Sequence, residues 1–80
     1  MDYLERMKIE LGMLETNIEQ STRFLKKEIV IPRFTDEVQR IKLACQIEHM
    51  TAYANVLRER IKYDRNKVNS NKGDTDGDNN

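Results

Sequence analysis

Tyr53 and Arg60 are seven residues apart, a spacing that stacks two side chains two turns apart on one face of an α-helix. A tyrosine ring is a platform on which a nucleobase can stack, worth about 1–3 kcal/mol, and a guanidinium offers a forked donor set matched to phosphate. The same flank of the helix carries Lys42, Gln46 and His49. The chemistry within reach is nucleotide binding: a base on Tyr53, phosphate on Arg60 with Lys42 in support, and a hydrogen bond from His49. Each residue also has a plainer explanation. Tyr53 can cover the edge of a packing seam, Arg60 can pair with an acid of an opposing helix such as Glu5, and a lone half-exposed histidine is more often a surface residue. Catalysis lacks its parts. One histidine, one cysteine and no Gly-rich phosphate loop leave no nucleophile and base pair, metal cluster or nucleotide motif. A non-enzymatic binder without cofactor or metal is expected.

The element that must position these residues is a helix organised around residues 46–61. At about 100° per residue, Leu43, Ile47, Met50, Ala54, Leu57 and Ile61 fall on one narrow stripe. Nearly opposite lies a second apolar stripe, Val38, Ile41, Cys45, Ala52, Val56 and Tyr63. A helix with one partner has no reason to carry it. The first partner is in the chain itself. Leu4, Met7, Leu11, Leu14, Ile18 and Leu25 recur with heptad spacing, Ser21 being the one polar break, and predict a first amphipathic helix over about residues 2–27. Gly12 inside it costs about 1 kcal/mol relative to Ala, which the seam outweighs. EIVIPRF, residues 28–34, breaks the pattern, because successive β-branched residues disfavour helix and Pro32 pushes Ile31 toward extended backbone. A connection over residues 28–35 follows, with Ile29, Ile31 and Phe34 folded over the end of the hairpin or against a neighbouring subunit. Thr35 or Asp36 then caps a second helix over about residues 36–65.

The fold class expected is all-α: an antiparallel two-helix hairpin over residues 1–66 and a disordered tail over 67–80, assembling as a homo-oligomer. The tail, NSNKGDTDGDNN after Val68's flank, is rich in Asn, Asp and Gly and cannot bury enough surface to order itself. Its Asp74, Asp76 and Asp78 do not make a calcium loop, since the glycine is misplaced and the distal Glu is missing. A core this small supplies only about 3–5 kcal/mol, and the single Cys45 permits no internal disulfide. Oligomerisation through Val38, Ile41, Cys45, Ala52 and Val56 is the remaining support. The lone thiol suits a reducing compartment, no apolar run approaches the roughly 20 residues that span a bilayer, and a cytoplasmic location is expected.

Fourteen basic and fourteen acidic residues cancel, so no global field draws nucleic acid or a membrane. The charges are segregated: residues 1–22 hold five acids against two bases, and residues 58–67 five bases against two acids, which favours antiparallel pairing. Around the connection, Arg23, Lys26, Lys27, Arg33, Arg40 and Lys42 outnumber Glu28, Asp36 and Glu37. That cluster is either an anion receiver or a solvated basic cap.

Glu10 and Leu11, Leu14, Phe24 and Leu25, and then Q-x3-M-x2-Y-x3-L-x2-R-I at Gln46, Met50, Tyr53, Leu57, Arg60 and Ile61, resemble the helical-hairpin family of phage anti-CBASS and anti-Thoeris signal sponges. The likeness covers about residues 6–61. It implies a non-enzymatic oligomer, hexameric in known sponges, that sequesters cyclic nucleotides or ADP-ribose-derived messengers of bacterial immune enzymes. It also implies Tyr53, Arg60 and Gln46 as ligand contacts and Met50, Leu57 and Ile61 as core. The rival reading is a helical adaptor whose second stripe docks a partner protein, helix in groove.

Overall fold

Asp2 opens the first helix: its carboxylate accepts the Glu5 backbone N–H at 2.7 Å, satisfying one of the donors that a helix start leaves unpaired. In the computed structural model, which describes residues 2–73 with side chains through residue 67, helix α1 then runs Tyr3–Val30 for 28 residues. It stops where Pro32 dictates, with Ile31 extended at φ −137° and ψ 94°. Asp36 opens the second helix by accepting the Gln39 N–H at 2.8 Å, and α2 runs Glu37–Gly73 for 37 residues. The two helices pack antiparallel into a rod 57 × 22 × 15 Å. None of the described helices is long and apolar enough to cross a membrane.

The heptad stripes meet as their spacing requires. Met7 and Leu14 of α1 and Ala54, Leu57 and Ile61 of α2 are buried, Leu57 completely. Leu4 and Leu11 pack against this cluster. Toward the connection the seam loosens: Ile18, Ser21, Leu25, Leu43, Ile47 and Met50 are only half-buried. Arg58 crosses to Glu15 at 2.7 Å, with both side chains nearly half exposed, so this pair fixes register more than it stabilises.

Three boundaries differ from the sequence expectation. Helix α1 carries Ile29 and Val30 in spite of their β-branching, because Glu28 is held from beyond the helix end, as described below, and tertiary contact overrides a weak propensity. The connection is thereby shortened to residues 31–36. Helix α2 passes the expected end near residue 65 and continues to Gly73. A helix once formed propagates at little cost, and glycine is where such propagation is weakest. The rest of the expected tail, residues 74–80 with Asp74, Asp76 and Asp78, lies outside the described residues. Ile29, Ile31 and Phe34 do not fold over the end of the hairpin; they are 63%, 60% and 78% exposed.

Candidate ligand-binding trough

The connection is held by one side chain. Glu28 is 3% exposed, and its carboxylate accepts the backbone N–H groups of Arg33, Phe34 and Thr35 at 3.0–3.2 Å and the Thr35 hydroxyl at 2.7 Å. The Thr35 hydroxyl, then the three amides, hold this carboxyl below the usual carboxylate range against the opposing effect of burial. Arg40 closes the arrangement by donating to the Thr35 carbonyl at 2.7 Å. The anion held at the connection is thus the chain's own, and it is held by backbone amides and a hydroxyl, not by the basic side chains around it. The amides that would otherwise welcome an external phosphate are occupied by Glu28, and the start of α2 by Asp36.

What this clasp positions is the adjoining flank of α2. Two shallow depressions run end to end along it. One, of about 390 Å³, lies between the helices and is lined by Gln20, Ser21 and Phe24 of α1 and by Thr35, Gln39, Lys42, Leu43 and Gln46. The other, of about 530 Å³, is lined by Lys42, Cys45, Gln46, His49, Met50 and Tyr53, all from α2. Lys42 and Gln46 belong to both, so the two form one trough.

The structure thus brings together Lys42, Gln46, His49 and Tyr53, four of the five residues singled out by type and spacing. Arg60 is placed elsewhere. Its guanidinium donates to the Tyr3 hydroxyl and lies 5.6 Å from the Tyr3 ring centroid, in a separate depression with Met7, Val56 and Tyr63. The acid Glu5 is not its partner. Tyr53 is 43% exposed, leaving part of its ring free for a ligand.

Gln20, Ser21, Phe24 and Gln39 were not visible as site residues from their spacing on α2, since three of them come from the other helix. Ser21 carried the signal: a polar residue at a seam position belongs there if a groove and not a core lies beside it. Phe24 reaches the trough beside it while stacking on Phe34, with ring centroids 6.3 Å apart and 24° between planes.

The inventory has defined chemistry. Lys42 supplies a cation, Gln20, Gln39 and Gln46 supply amides that both donate and accept, and Phe24 and Tyr53 supply aromatic faces. The stripe Val38, Ile41, Cys45, Ala52 and Val56 is solvent-exposed along the neighbouring face of the single chain, and Cys45 joins it to the trough. Compared with known protein families, residues 1–63 match the model described as Sequestin. No curated protein matches the chain, and no solved structure does.

Proposed function

The chain belongs to the Sequestin family, and on that premise we propose that it binds and sequesters a nucleotide-derived immune signal, a cyclic nucleotide or an ADP-ribose derivative, without hydrolysing it. The family name points to sequestration. The observation that carries the ligand class is the convergence of Lys42, Gln46, His49 and Tyr53 on one trough, a cation and an aromatic face joined by hydrogen-bonding groups. The biological role that follows is that of a phage anti-defence protein, acting in the host cytoplasm by removing the messenger that a bacterial immune enzyme has made.

The wall of the trough beside Cys45 and Tyr53 is built by α2 alone, and the apolar stripe Val38, Ile41, Cys45, Ala52 and Val56 adjoins it. In this reading that stripe joins copies of the chain into a homo-oligomer and deepens the site. The exposure of the same stripe also favours the adaptor as second reading, with a foreign protein in place of the second copy.

The test is calorimetric titration with a panel of cyclic di- and trinucleotides and ADP-ribose derivatives, followed by heating the complex and recovering the ligand. Intact ligand, released in proportion to the protein, is the expected result. Lys42→Ala and Tyr53→Ala should each weaken binding by about 5- to 150-fold, the range that loss of about 1–3 kcal/mol gives. Tight binding that survives both substitutions in folded protein moves the site away from the trough.

A further inference from the structure

We propose that the turn end of the hairpin docks on an anionic lipid bilayer, with Val30, Ile31 and Phe34 inserted among the headgroups and Lys26, Lys27 and Arg33 on the lipid phosphates. Val30 and Phe34 are more than three-quarters exposed, and Ile29 and Ile31 more than half. None of the four lines the trough, and an exposed apolar cluster of this kind marks an interaction surface. A depression of about 710 Å³ runs through it, where Val30, Ile31 and Phe34 meet Lys26, Lys27 and Arg33. The whole chain has no net charge, so the attraction is local to this end. Among the described residues the ion pairs are made by Arg23 and Arg58, which leaves these three cations for an outside anion. The carboxylate beside them, Glu28, is buried and engaged by the connection's own amides.

The backbone of this end meets the condition that lipid imposes, where an unpaired N–H is costly. Ile31 donates its N–H to the Lys27 carbonyl at 2.9 Å, Pro32 has none to donate, and Arg33, Phe34 and Thr35 donate theirs to Glu28. Residues 31–35 therefore bring no free N–H to the bilayer. The side chains are layered to match. Lys26 and Lys27 precede Val30 by four and three residues, so they stand about one helical turn, roughly 5 Å, back from the tip. Apolar side chains at a membrane interface sit about 5–10 Å into the headgroup boundary, and lysine stems reach back from that depth to the phosphates. The turn end of a second copy carries the same three cations and would be repelled.

The experiment floats the full chain with phosphatidylcholine vesicles and with vesicles of phosphatidylcholine and phosphatidylglycerol. The mixed vesicles should bind at least about tenfold more tightly, since each basic residue at an anionic surface contributes about fivefold, and added salt should narrow the difference. Replacing both lysines, Lys26→Gln with Lys27→Gln, should weaken binding to the mixed vesicles by about 25-fold. Val30→Ser with Ile31→Ser should weaken it by about tenfold or more, while Val30→Leu with Ile31→Leu, which stays apolar, should keep it; the pair of pairs separates lost insertion from a lost fold. Equal binding to the two compositions, binding to neither, or a serine variant that binds the mixed vesicles like wild type overturns the proposal. Should vesicles be ignored while the serine variant forms a smaller oligomer by light scattering, the turn end is instead a contact between copies, and the bilayer reading falls.

Discussion

Glu28 is the residue on which the geometry of the connection depends. Replacing it by Gln keeps the shape but turns one acceptor oxygen into an amide NH2, a donor that faces the N–H groups of the connection. Glu28→Gln should therefore lower the melting temperature and, by loosening Thr35, which lines the trough, weaken ligand binding there, both measurable on one preparation. The pH dependence has a definite sign. Because the folded carboxyl titrates below its ordinary value, its contribution to stability is fully present above the unfolded value of about 4.3 and is lost as pH falls through the lower folded one. Melting curves of wild type and Glu28→Gln should accordingly converge as the solution is acidified below about pH 4.3. This clasp was not legible in the sequence. A glutamate in a β-branched stretch among six cations reads as one more surface charge, and only the reversal of the chain brings three backbone amides onto it.

At the scale of the helices the sequence was far more transparent, because a packing seam is written in periodicity alone. Leu57 shows what that seam contributes. Fully buried, it should cost about 2–5 kcal/mol on truncation to Ala, as much as a core of this size supplies in total; circular dichroism at 37 °C should show Leu57→Ala largely unfolded unless ligand is added. Gly12 is the opposite case. A Cβ placed there meets nothing within 4 Å, and the helix runs through it unbroken. Gly12→Ala should therefore stabilise by about 1 kcal/mol, raising the melting temperature by about 4–8 °C. The ends of the helices were harder to read than the seam. Residues 28–30 stay helical through contacts made from residues 33–35, and α2 outlasts its apolar pattern because a helix once formed propagates with little support. The site was half legible for the same reason: Lys42, Gln46, His49 and Tyr53 share one helix and one flank, while Gln20, Ser21 and Phe24 enter from the other helix at a register that spacing does not give.

Taken as a whole molecule, the hairpin leaves much apolar surface uncovered. Val38, Ile41 and Val56 are each more than half exposed on one face, and contiguous surface of that kind marks an interface. Light scattering coupled to size exclusion should find a closed homo-oligomer, and Ile41→Asp, which places a charge in the middle of the stripe, should shift it to smaller species. A wild-type chain that stays monomeric at high concentration would instead support the adaptor. The shortness of the link between the helices, residues 31–36, has a consequence in time. Two long helices joined by so few residues bring nearly every partner together by zipping outward from the Glu28 clasp, so little chain entropy opposes each step, and topologies of this kind fold in microseconds to milliseconds. The trough lies next to that clasp, on the part of the rod that closes first. If the exposed stripe joins copies as proposed, encounter between copies, which slows with dilution, becomes the slow step, and the delay between synthesis and full binding capacity should shorten as the protein accumulates.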